Sequence, residues 1–126
     1  MTIRSVWVAL AVISASACGG YSSGPPSQTP GNTTPPAGGV SVSNNAFSPA
    51  TLNVQVGASV VWAWNTCTGD PYTGNQTCVN HNVIFDDGSS SSITQDQGTF
   101  SKTFNTAGTF AYHCTLHPMT GTVVVQ

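Results

Sequence analysis

The sequence predicts an all-β Greek-key sandwich of seven to eight strands. From Val40 onward, short apolar–polar alternations are broken by turn residues, and no window keeps a helical period over ten or more residues. The runs recur about every ten residues across the 87 residues from Val40 to Gln126, a spacing that suits a sandwich better than a closed barrel or a propeller.

The expected elements follow in chain order. Val40-Ser41-Val42 leads to Asn44-Asn45, and Leu52 to Val56 alternates up to Gly57. Val60 to Trp64 makes a third strand, with Trp62 on the core side or in contact with Trp64 along one face; both tryptophans read as packing residues. His81 to Phe85 is expected as a strand stopped by Asp86-Asp87-Gly88, most simply a turn. Phe100 to Phe104 ends at Asn105-Thr106-Ala107-Gly108. Next, Phe110, Tyr112 and Cys114 share one strand face and Ala111 and His113 the other, and Thr122 to Val125 closes the chain.

Composition narrows the function. The 126 residues leave room for one domain and carry six charged side chains, Arg4, Lys102, Asp70, Asp86, Asp87 and Asp96, for a net charge of −2. With a single Lys beyond residue 4 there is no basic surface for phosphates or anionic lipid, so no nucleic-acid partner is expected. Phosphate-loop, dinucleotide and nucleophile-elbow patterns are absent, and three His cannot build the clusters of large metalloenzymes.

The first residues read as an address. Arg4, the apolar run Val6 to Ile13 and Ser14-Ala15-Ser16-Ala17 before Cys18 resemble a bacterial lipoprotein signal, although Ala15 stands where Leu is usual. The resemblance implies a signal peptide over 1–17, lipidation at Cys18, and an exported domain anchored to a membrane in the periplasm or at the cell surface. Cleavage near Ala17 with Cys18 left as a free thiol is the alternative. Residues 19–39 hold six Gly, five Pro, three Ser and three Thr, a composition expected to remain a disordered tether. As a flexible coil it would span roughly 23–27 Å. The folded domain is then 40–126.

A domain this small is marginal, and a cross-link would help it. Cys67 and Cys78 flank a turn-rich segment, and export permits a disulfide between them. Four Cys would ordinarily suggest two disulfides in one of three pairings. With Cys18 lipidated and Cys67 paired to Cys78, Cys114 is left over, three residues before His117 and five before Met119. Thiolate, imidazole and thioether are soft ligands, and two His with one Cys and a weak axial Met is the blue-copper set. The second His is expected to be His81, since His113 points away from Cys114.

These residues resemble cupredoxins of the plastocyanin and amicyanin kind. The resemblance is carried by Phe47-Ser48-Pro49-Ala50-Thr51-Leu52, Val56-Gly57, Val61-Trp62, His81-Asn82-Val83-Ile84-Phe85-Asp86-Asp87 and Ala107 to Cys114. It implies one Cu(I)/Cu(II) ion held by His81, Cys114, His117 and Met119, with Asn82 tying the two ligand loops together. Two features depart from the pattern: Pro118 alone separates His117 from Met119, and the Cys67–Cys78 segment is inserted before His81. The implied function is electron transfer, not enzymatic turnover. A monomer would dock transiently with redox protein partners through an apolar patch around His117, and would touch the membrane only through its lipid. Copper delivery is the alternative, disfavoured by a chain with only Met1 and Met119. A multicopper oxidase or nitrite reductase would need a second copper centre that three His cannot supply, a dinuclear site a second Cys near Cys114, and a plain binding module would leave Cys114 and His117 accidental.

Overall fold

A computed structural model describes residues 31–126. The expected signal peptide, Cys18 and the first part of the tether lie outside the described residues. Within them there is no helix. The strands are β1 (Val40–Val42), β2 (Phe47–Ser48), β3 (Thr51–Val54), β4 (Ser59–Trp64), β5 (Cys67–Gly69), β6 (Gln76–Cys78), β7 (Ile84–Phe85), β8 (Thr99–Thr103), β9 (Gly108–His113) and β10 (Thr120–Val125). One sheet has the order β2-β1-β4-β8 and the other β3-β10-β9-β7, with β5 and β6 as a separate hairpin. β1 runs parallel to β4 and β3 parallel to β10; the remaining pairs are antiparallel.

The all-β sandwich is as expected, but ten strands replace seven to eight. The short β2 is one addition. The hairpin is another: Cys67 sits directly across from Cys78, and the disulfide joins them. At its tip the Asp70 carboxylate accepts the Tyr72 and Thr73 N–H groups at 2.8 and 3.3 Å, an Asx-type turn. These bonds hold the Asp70 carboxyl below its usual value.

Two boundaries also differ. The strand expected from His81 to Phe85 is regular only at Ile84–Phe85; before it, Val83 donates its N–H to the Ser92 hydroxyl and His81 pairs with Gln95 instead. The tether expected to reach residue 39 is ordered from its later part. Asn32 exchanges two hydrogen bonds with the Cys67 backbone, and the Thr33 N–H donates to the Trp64 carbonyl at 2.7 Å. A polar segment without a core of its own is held here by backbone groups that strands β4 and β5 leave unpaired.

Between the sheets the fully buried Trp62 ring is edge-on to Phe85 and Tyr112, with centroids 5.7 and 5.4 Å away, and tilted against Phe100 and Phe104. Trp64 is also fully buried, as the packing reading required. On β10 the alternation buries Gly121, Val123 and Val125. Gly121 lies across from Tyr112, and a Cβ there would fall 2.3 Å from the ring carbon Cζ. Only glycine fits without displacing a buried tyrosine.

Gly121→Ala is therefore expected to lower stability by about 1–3 kcal/mol in denaturant unfolding; an unchanged midpoint would mean that the Tyr112 ring yields freely. Replacing both Cys67 and Cys78 by Ala should cost roughly 3 kcal/mol by releasing a loop of about twelve residues in the unfolded chain, read by the same titration.

Candidate metal centre

Cys114 directly follows β9, whose alternation carries the inward face of Phe110 and Tyr112 on to the thiol. The buried Cys114 is the one free cysteine among the described residues. A tight loop then returns the chain. The Met119 N–H donates to the His117 carbonyl at 2.7 Å, and the Cys114 N–H to the Met119 carbonyl at 3.0 Å. Pro118 as sole spacer thus does not strand Met119: its backbone closes on Cys114, and its side chain is buried in the same core cluster.

His81 comes from the other loop. It pairs with Gln95 through an isolated antiparallel bridge, with N–H to carbonyl distances of 2.9 and 3.0 Å in the two directions. The Trp64 indole N–H donates to the His81 carbonyl at 3.3 Å. The ring is fully buried. Burial, and then the neighbouring His117, push its pKa below the usual 6.5, which favours the neutral ring that a metal ligand must present.

The two segments meet on three donor atoms. His81 Nδ1 lies 3.7 Å from Cys114 Sγ and 3.1 Å from His117 Nδ1. All three atoms fall within 4.8 Å of one another. Bonds of about 2.0–2.3 Å from two such donors to one ion span separations of this size. The set contains one soft thiolate sulfur and two imidazole nitrogens with no carboxylate, which suits copper or zinc and not a hard cation. Burial differs within the trio: His81 and Cys114 are enclosed, while His117 is only partly covered and is flanked by Leu116, 49 % exposed, and an exposed Pro118.

Asn82 joins the two segments. Its Oδ1 accepts the Thr115 N–H at 2.9 Å, and its Nδ2 donates to the hydroxyls of Thr115 and Thr94 at 2.8 and 3.2 Å. The neighbours of His81 and Cys114 are thereby bonded to each other. Of the sequence-selected residues, His81, Cys114 and His117 come together, Met119 closes their loop, and Asn82 braces it. His113 stays apart on the opposite strand face, as alternation requires.

Several partners were not foreseen. Asp86 does more than make a turn: its carboxylate lies 2.6 Å from His113 Nδ1 on the surface. Thr115 carried a signal in its position beside Cys114, matching Asn82 beside His81. Thr94 and Gln95 carried none, since nothing local shows that their loop folds back on His81.

Comparison with known proteins agrees with this geometry. Residues 38–126 match the model of the copper-binding proteins of the plastocyanin/azurin family. The chain is 35 % identical over 89 residues to halocyanin of Natronomonas pharaonis, covering 64 % of this chain and 48 % of halocyanin. It is 32 % identical over 94 residues to amicyanin of Paracoccus denitrificans, covering 69 % of this chain and 63 % of amicyanin. The chain therefore spans about half of one relative and less than two thirds of the other. A purple cupredoxin from Nitrosopumilus maritimus shares the fold, with a TM-score of 0.56 at 22 % identity over 70 % of this chain and 98 % of that one. With a family match across the whole folded region and a donor set that suits one copper ion, the chain belongs to the plastocyanin/azurin family of copper-binding proteins, the cupredoxins.

Proposed function

We propose that this protein is a type 1 copper electron carrier, with His81 Nδ1, Cys114 Sγ and His117 Nδ1 as the strong ligands and Met119 as the weak axial one. The observation that carries the reading is the buried Cys114–His81–His117 cluster, brought together from segments more than thirty residues apart and braced by Asn82. Bound copper would supply the one-electron Cu(I)/Cu(II) couple. The chain's part is to hold the donors in place beforehand, so that a change of charge at the centre moves few atoms. His81 and Cys114 exclude water from the inner side. His117 offers the partly covered edge, and Leu116 and Pro118 beside it form a small apolar surface suited to brief contact with a redox protein. Among the described residues there are four Asp and one Lys, so the charge complement favours a mildly basic partner.

The same reading makes the protein a monomeric carrier and not an enzyme. It works outside the cytoplasm, held by lipidated Cys18 after removal of residues 1–17. The Cys67–Cys78 disulfide supports an oxidising compartment. Lipidation rests on the residues around Cys18.

The reading is tested by adding Cu(II) to the full-length protein, recording absorption and electron paramagnetic resonance, and then reducing with ascorbate. An intense visible band that colours the protein blue and bleaches reversibly is expected. Colourless protein with weak tetragonal copper would turn the assignment towards copper delivery. Cys114→Ser should abolish the band while leaving the fold intact by circular dichroism. Met119→Leu should keep copper and raise the reduction potential; an unchanged spectrum and potential would remove Met119 from the ligand set.

A further inference from the structure

We propose that Asn32, which precedes the family-matching stretch and lies outside the proposed ligand set, is a positioning residue for His81. The inference rests on His81 serving as a copper ligand. Its basis is a grip on the segment that runs from the end of β4 into the hairpin. On one side the Asn32 carboxamide acts as a neighbouring strand would: Nδ2 donates to the Cys67 carbonyl at 2.9 Å and Oδ1 accepts the Cys67 N–H at 2.7 Å. Thr33 adds its N–H to the Trp64 carbonyl at 2.7 Å. Gly31, at φ +88°, packs so closely that a Cβ would meet the Gln97 side chain at 3.0 Å and Cys67 Sγ at 3.1 Å. On the other side the Thr66 hydroxyl donates to the Asp96 carbonyl at 2.8 Å, and the Trp64 N–H to the Gly98 carbonyl at 3.0 Å.

Both sides of the grip converge on His81. Trp64, clamped between Thr33 and Gly98, sends its indole N–H to the His81 carbonyl. The stretch from Asp96 to Gly98 follows Gln95, which exchanges both backbone hydrogen bonds with His81. Residues 31–33 precede the matched region, which begins at residue 38. Loosening the grip frees the seat of the buried ligand without touching any donor atom.

The test uses the full chain as wild type, Asn32→Ala, Asn32→Asp, Thr66→Val and Ser59→Ala. The last removes the 2.6 Å contact to Thr103 at the far end of β4 and serves as a stability control. In metal-free protein, Asn32→Ala and Thr66→Val are expected to speed hydrogen exchange at the His81 and Gln95 amides by about tenfold. In copper-loaded protein they should shift the Cu(II) hyperfine splitting and hasten release of copper to a chelator severalfold. Asn32→Asp keeps the acceptor for the Cys67 N–H and should show a smaller change in each readout. Ser59→Ala should lower the urea midpoint and move none of these readouts. Wild-type exchange in Asn32→Ala overturns the proposal, as does an equal effect of Ser59→Ala. If the wild type gives no blue band, the copper reading falls, and the exchange experiment still decides whether Asn32 seats His81.

Discussion

One side-chain amide holds the donor cluster together. His81 and Cys114 arrive from loops more than thirty residues apart, and no ladder joins those loops at the donors themselves. The Asn82 carboxamide closes that gap with one acceptor and two donated bonds, to the backbone and hydroxyl of Thr115 and the hydroxyl of Thr94. An amide so engaged has a defined orientation; it adjoins His81, and its partner Thr115 adjoins Cys114. The thiol and the imidazole that flank this link lie 3.7 Å apart. Removing it would take away the side-chain link between the two loops, leaving the Thr115 N–H and the Thr94 hydroxyl without this partner.

Beneath the cluster the aromatic core acts as a floor. Trp62 touches four rings from three other segments, and Tyr112 among them is the inward residue two before Cys114. Packing of that density resists displacement, so motion at the metal end is not absorbed by the core. The rim of this core is sealed by Lys102. Its ammonium sits 3.8 Å above the Phe85 ring and is bonded to the Ser89 hydroxyl; burial depresses its pKa while Asp87 offsets part of the effect. Three of the four Asp of the described residues have partners: Asp86 with His113, Asp87 with Ser89, Asp70 within its own turn.

The parts legible beforehand share a short range. Alternation along β9 placed Tyr112 and Cys114 inward and His113 outward because a strand repeats every two residues whatever lies around it. The spacing of Cys114, His117 and Met119 is likewise local. The missed features are of the opposite kind. Asp86 sits in the expected turn, but its pairing with His113, twenty-seven positions away, leaves no local trace. The run from His81 to Phe85 looked like a full strand, since its apolar pattern does not disclose that serine hydroxyls take over part of the ladder. Residues 31–39 looked like tether because their composition lacks a core; they are ordered by the free backbone groups of other strands instead.

The sequence alone determined the strand pattern, the surplus thiol at Cys114 and the soft-ligand character of the site, because residue type and period act over a few positions. Tertiary structure alone decided that His81 faces His117 at 3.1 Å, that the short loop still returns Met119 to Cys114, and that Asn32 grips the hairpin. Those outcomes depend on which distant segments are brought into register. Two sheets packed around Trp62 supply that register, and no local pattern encodes it.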